Sequence, residues 1–280
     1  MLCGKILFNH KSILKSQQVN AARGIMDIGF IKAIGFDLFN TLIVAKPNTL
    51  KESMNRLIDS LWNTGIKFHK SEFKEAYKKA VIELVGKARE TGIETHNKFW
   101  ITKALSEVGY QLNPDDPEIS DAIEAYFSAF FEYCYIIPDT LKTLEILSSS
   151  FPLGLLTNFT DPPVAKKLIE EFHLRPFFET IVISGQLGYR KPHPKAFKKL
   201  VDSLGVKPDE LIYVGDDPGP DIDGALEAGI MAVWLTYTQD HGVRNIPLAF
   251  PTDLKRPSRP VPRVNDWQEF LSLFPNLYPA

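Results

Sequence analysis

Residues 34–42 read Ile34-Gly35-Phe36-Asp37-Leu38-Phe39-Asn40-Thr41-Leu42, an apolar run that ends in a carboxylate and passes into a polar turn. An aspartate at the C-terminal end of a buried strand stands where open α/β sheets place their chemistry, in the crevice beyond the strand ends. A phosphoryl-transfer site with its own proton shuttle would carry a second acid two residues later. Phe39 occupies that position.

Outward from this stretch, similar apolar runs recur at Phe30–Phe36, Pro152–Thr157, Thr180–Ser184, Leu211–Val214 and Met231–Thr236. Runs this short and continuous suit strands buried on both faces. Amphipathic segments at Asp161–Glu171, Pro194–Leu204 and Asp221–Ala228 separate them. The alternation predicts a parallel sheet with helices on both faces. Between about Ala45 and Tyr135 the alternation stops, and four helix-like stretches follow one another: Leu50–Trp62, Ser71–Arg89, Asn97–Val108 and Ile119–Tyr133. Ser71, with Glu72 and Glu75 behind it, reads as a capped helix start. Trp100, Tyr126, Phe127, Phe130 and Phe131 recur at helical spacing and read as the core of a bundle. The organisation expected is therefore an α/β core from 27–44 and 136–280, interrupted by a helical bundle at 45–135 that covers the crevice holding Asp37. Past Tyr237, prolines 247, 251, 257, 260 and 262 argue for loop, with a closing helix over Val264–Phe274.

Composition narrows the function. A net charge of −2 gives no electrostatic case for nucleic acid or an anionic membrane. No apolar run approaches the roughly 20 residues that span a bilayer. Cys3 and Cys134 are the two cysteines, too few for a disulfide framework or a four-cysteine zinc site, so a reducing, cytoplasmic setting is expected. Residues 1–26 carry Lys5, Lys11, Lys15 and Arg23 but no acid, as in a disordered or non-native extension, or less simply an organelle transit peptide. P-loop, G-x-S-x-G and H-E-x-x-H patterns are absent from the chain. No feature of the sequence specifies an oligomeric state.

Four polar punctuations fall at strand ends or helix starts: Asp37 with Asn40 and Thr41, Thr157 with Asn158, Arg190-Lys191-Pro192, and Gly215-Asp216-Asp217 leading to Asp221. Strand ends of one parallel sheet converge, so these residues can meet. Asp37 and Asp216 could share Mg²⁺, a hard cation that takes a few carboxylates and substrate oxygens. Lys191 would offset the acids and an anionic small-molecule substrate, while Thr157 and neighbouring amides could hold phosphoryl oxygens. Asp37 could itself attack phosphorus. Taken singly, each residue has a plainer reading: a strand-end aspartate or Asp221 as a helix cap, Asn158 as a loop residue, Lys191 as a solvated lysine.

Together, FDLFNTL, LLTN, GYRKPHP and YVGDDPGPDIDGA resemble the four motifs of the haloacid dehalogenase-like hydrolase superfamily, over about residues 31–237. The resemblance implies a Rossmannoid core with a helical cap inserted after the first motif. It implies Asp37 as nucleophile and metal ligand, with Phe39 lending its backbone carbonyl to the metal. It further implies Thr157 as the phosphate-binding hydroxyl, Lys191 as the charge-balancing lysine, Asp216 as a metal ligand, and Asp221 as an acid behind the metal, with Asp217 a further candidate. Asn40, Thr41 and Asn158 are expected to contact substrate.

Phe39 departs from the phosphatase pattern, which has an aspartate there to protonate the leaving oxygen and later activate water. General acid–base catalysis is worth about 10²–10⁴-fold, a loss that an activated substrate feels less. Asp217, His69 or His96 could move the proton instead. Haloacid dehalogenases lack that acid as well, but they need no metal-type acidic cluster. The first expectation is therefore a Mg²⁺-dependent hydrolase of a small phosphorylated metabolite. The alternatives are a 2-haloacid dehalogenase-like enzyme and a catalytically weak binding or regulatory protein.

Overall fold

The computed structural model describes residues 29–243 and 256–274. The N-terminal extension, Cys3, Pro247 and Pro251 lie outside the described residues. Along the chain come β1 (Ala33–Phe36), β2 (Ile43–Ala45), α1 (Thr49–Asn63), α2 (Lys70–Thr91), α3 (Asn97–Glu107), α4 (Pro117–Tyr133) and β3 (Cys134–Ile136). Then follow α5 (Thr140–Ser148), β4 (Leu153–Thr157), α6 (Pro162–Glu171), β5 (Thr180–Ile183), α7 (Ser184–Leu187), α8 (Pro194–Leu204) and β6 (Leu211–Gly215). The last elements are α9 (Gly224–Glu227), β7 (Met231–Leu235), α10 (Tyr237–Asp240), β8 (Arg263–Val264) and α11 (Trp267–Ser272).

Six strands form one parallel sheet in the order β5-β4-β1-β6-β7-β8. The central strand β1 is fully buried, as its all-apolar run AIGF requires. On one face Tyr213, Leu156 and Ala33 pack against Phe197 and Leu200 of α8. On the other, Phe36 meets Phe178, Trp267 and Phe270 edge-on, with ring centroids 6.0–6.4 Å apart. This is the α/β architecture with helices on both faces that the strand pattern predicts. β8 was not expected: Val264 and Arg263 extend the sheet where the sequence suggested only a helix, because a two-residue strand is too short to leave a periodic signal.

α1 to α4 form a helical insert between β2 and β3. α1 packs along α4, and α2 along α3. Arg56 ties the first pair, reaching Glu52 at 3.1 Å and Glu132 at 2.5 Å. β2 and β3 pair antiparallel where the chain leaves and re-enters the sheet region, a two-stranded ribbon that the sequence did not announce. α2 starts one residue before Ser71, with His69 at its N-cap and no side-chain cap bond, so Ser71 is not the expected cap.

Candidate active site

The sheet order makes β4, β1 and β6 neighbours, so the first, second and fourth polar segments emerge side by side. The Asp37 amide donates to the Val214 carbonyl at 2.9 Å, which fixes the carboxylate beside the end of β6. Asn40 takes the left-handed conformation at φ 61°, which asparagine tolerates, and its amide donates to the Ile43 carbonyl at 2.7 Å. It thereby makes the turn that sends the chain from Asp37 into β2. Thr41 is fully buried, and its hydroxyl has no hydrogen-bond partner among the described residues.

Lys191 is 2% exposed and its ammonium sits at the centre of the cluster. Nζ lies 2.5 Å from Asp37 Oδ1 and 2.6 Å from Asp221 Oδ1, and donates to the Tyr213 hydroxyl at 2.8 Å. Burial by itself would push this lysine down; Asp221 and Asp37 overcome it and hold the ammonium charged, well above its usual range. Asn158 brackets the same residue, accepting from the Lys191 amide at 2.7 Å and donating to its carbonyl at 3.0 Å. Both ends of the Asn158 amide are therefore committed to placing Lys191. Thr157, the last residue of β4, is 1% exposed beside Asn158.

Carboxylate oxygens of Asp37, Asp216 and Asp221 all lie within 4.8 Å of one another. One lysine faces three acids, and the acids respond. Asp37 is raised to about 7, chiefly by burial, with Lys191 opposing and Asp221 adding to the rise. Asp216 keeps some exposure as a residue, yet removal of its carboxyl from bulk water, then Asp221 and Asp37, raise it well above the carboxylate range. Such a set of crowded acids fits a divalent cation. Asp221 was expected behind the metal; the structure brings its carboxylate into the converging group. Gly215 allows this, since a Cβ there would lie 2.5 Å from the Asp221 carboxyl carbon. The Asp217 carboxylate is not among the converging oxygens, although the Asp217 amide donates to Asp221 Oδ2 at 3.0 Å. Its Oδ1 accepts from the Gly219 amide at 3.2 Å, capping the turn Pro218–Asp223, and burial raises it to about 6.

Phe39 is 6% exposed and points toward the insert. It stacks on Phe159 with centroids 5.6 Å and planes 10° apart, and meets Phe130 of α4 edge-on at 6.0 Å. Phe127 packs on Phe159 at 5.2 Å. Phe127 and Phe130, expected in the bundle interior, thus also form its seam with the sheet, while Trp100 and Tyr126 are buried within the insert. Of the other candidate proton carriers, His69 is exposed at the start of α2. His96 faces Asp161 at 3.5 Å while its Nδ1 accepts from the Lys98 amide, and burial, against the pull of Asp161, lowers its pKa.

Two features went unread in the sequence. Tyr213 lay inside an apolar strand, and its hydroxyl, which also donates to the Leu156 carbonyl at 2.8 Å, was the available signal. The loop 92–96 gave none. Its Glu94 amide donates to the Gly188 carbonyl and its Gly92 carbonyl accepts from the Arg190 amide, both at 3.0 Å, directly before Lys191.

A family model described as a haloacid dehalogenase-like hydrolase matches residues 31–229. The chain is 32% identical over 204 residues to the glyceraldehyde 3-phosphate phosphatase of Methanopyrus kandleri, covering 72% of this chain and 83% of that one. It is 26% identical over 259 residues to the phosphoglycolate phosphatase of Escherichia coli, covering 87% and 93% of the two chains. Among solved structures, a 2-haloacid dehalogenase from Pseudomonas syringae pv. Tomato superposes with a TM-score of 0.63 at 22% identity, over 89% of this chain and 100% of that one, which shows a shared fold.

Proposed function

The chain belongs to the haloacid dehalogenase-like hydrolases, and from that premise we propose that it is a Mg²⁺-dependent phosphatase of small phosphorylated metabolites working through an aspartyl-enzyme intermediate. The observation that carries this reading is the convergence of Asp37, Asp216 and Asp221 around one buried lysine. Displacement of halide needs no cation, and a second and third carboxylate beside the nucleophile would only repel an anionic substrate. A phosphatase has a use for them. Relatives named as phosphatases of two small phosphorylated compounds support the same choice over the dehalogenase alternative.

In this reading the three acids, with the Phe39 carbonyl, would hold Mg²⁺, which would supply charge neutralisation for the phosphoryl oxygens. Asp37 attacks phosphorus from the end of β1. Lys191 holds the Asp37 carboxylate in place and offsets the incoming negative charge. Thr157, at the neighbouring strand end, would donate to a phosphoryl oxygen. Asn158 and Tyr213 keep Lys191 from moving, so the electrostatic work is done by groups already in position. The insert serves as the cap, with residues 45–135 closing over the strand ends. Cys134 is a buried free thiol, raised to about 12 by burial, which suits a reducing compartment. Among the described residues no helix is long and apolar enough to cross a membrane.

A panel of phosphomonoesters, a phosphonate and a 2-haloacid, assayed with Mg²⁺ and with EDTA, tests the proposal. Phosphate release that requires Mg²⁺ is expected; halide release indifferent to EDTA would overturn it.

A further inference from the structure

The two sides of this site differ in kind. On the sheet side stand charges and hydrogen-bond donors: Asp37, Thr157, Lys191, Asp216 and Asp221. On the insert side, around Phe39, stands hydrocarbon, while the charged groups of that side, Arg89 and Glu94, act on Asp217 and Arg190. The Phe39 ring is held by Phe159, which follows Thr157 and Asn158, and by Phe130 from α4, with Phe127 closing on Phe159. Displacement at phosphorus runs in line, so a phosphoryl group attacked by Asp37 must send its substituent away from the sheet, toward this wall.

Among the described residues, none of the nearby acids and hydroxyls is shown turned toward Asp37. The rings of Tyr77 and Tyr126 belong to the layer behind the wall, Tyr126 packing on Phe127 and Phe130, and Tyr77 on Tyr126. Burial raises both hydroxyls, Tyr126 to about 12. His96 is paired with Asp161. Asp217 is turned back onto Gly219. Phe39 cannot swing aside to admit another donor, because its ring is packed from the sheet side and the insert side at once.

Resting on the phosphatase reading above, we propose that this chain selects its substrates by leaving group. It takes phosphoryl compounds whose departing oxygen is stable as an anion, namely acyl phosphates and phosphates of acidic phenols, in preference to alkyl phosphates. A carboxylate oxygen of Asp37 bonds to phosphorus as the bond to the leaving oxygen breaks. The electron pair departs on that oxygen as a carboxylate or phenolate, and no proton is needed. Water then bonds to phosphorus, the bond to Asp37 breaks with its pair returning to the carboxylate, and both water protons leave on H₂PO₄⁻. The flat rings of the wall also suit an aryl group, which stacks or meets edges as these phenylalanines do.

The test is kcat/KM of the full chain with Mg²⁺ across phenyl phosphates of graded acidity, acetyl phosphate and glycerol phosphate. A fall of about 10²-fold or more from the most acidic leaving group to glycerol phosphate is expected, the scale of a missing general acid. Phe39→Asp should compress that range by restoring the donor. The slope of the native chain decides the matter even where the variant does not fold. Turnover with a flat series overturns this proposal and leaves the phosphatase reading standing. Release of phosphate from no member, acetyl phosphate included, overturns the phosphatase reading and this one with it.

Discussion

Glu94, on the loop between α2 and α3, pairs with Arg190 at 3.2 Å, one residue before Lys191. Its side chain is 2% exposed, and its other oxygen accepts from the Ser184 hydroxyl at 2.6 Å, which in turn accepts from the Phe159 amide. Two backbone bonds run alongside, from Glu94 to Gly188 and from Arg190 to Gly92. Gly92 permits the approach, since a Cβ there would lie 2.5 Å from the His193 ring. The helical insert is thus sewn to the loop that carries the central lysine.

Glu94→Ala removes one partner of this buried pair. It should cost about 3–5 kcal/mol of stability, the usual result of leaving a buried charge alone. Chemical denaturation measures the loss, and hydrogen exchange at the Arg190 amide should quicken locally. Unchanged exchange there would show that the backbone pairing holds without the carboxylate.

Asp37→Asn should lower phosphate release by about 10⁴-fold or more, as loss of a nucleophile does. Stability should move the other way. In the native chain, burial raises Asp37 to about 7, so the folded state binds a proton more tightly than the unfolded one. The stability this contributes is complete below the unfolded value, near 3.8, and is lost as pH rises through about 7. In EDTA, the variant should therefore gain on the native protein between pH 4 and pH 8, read as the difference between two denaturation profiles.

Phe39→Asp restores the acid where the family's phosphatases carry one and should raise hydrolysis of alkyl phosphates by about 10²-fold or more. The gain comes with a loss, because the ring it removes bridges Phe159 and Phe130. Truncating such a phenylalanine costs about 3–5 kcal/mol. A melting curve should show a clear drop beside the kinetic gain. Full stability would mean that the stacked cluster contributes little to seating the insert.

Lys191→Met leaves Asp37, Asp216 and Asp221 without their cation. A deficit of about 3–5 kcal/mol is expected at neutral pH. It should shrink as pH falls toward 5, because the crowded acids then take up protons in the folded state. A deficit that grows on acidification would contradict the charge-balancing role.

The order of the motifs and the burial of the strands were legible in the chain. An apolar run that ends in Asp37, and others that end at Thr157 and Gly215, fix a parallel sheet, because only that arrangement buries both faces of each strand and brings the ends together. The acids and the lysine could be named for the same reason: they are punctuation at strand ends. The four helices of the insert were visible by period, although two short ribbon strands and β8 were not, being too brief to show one.

Tertiary structure alone decided what each residue touches. Asp221 entered the converging group because Gly215 leaves room for it, while Asp217 spent its carboxylate on a turn. Asn158 became a bracket for Lys191, and Tyr213 its third partner. Phe39 became part of a clamp. The widest of these contacts join residues far apart in the chain, Asn158 with Lys191 at 33 positions and Lys191 with Asp37 at 154. Local periodicity carries no record of such pairs, since it reports which face of an element is buried and never what lies against it.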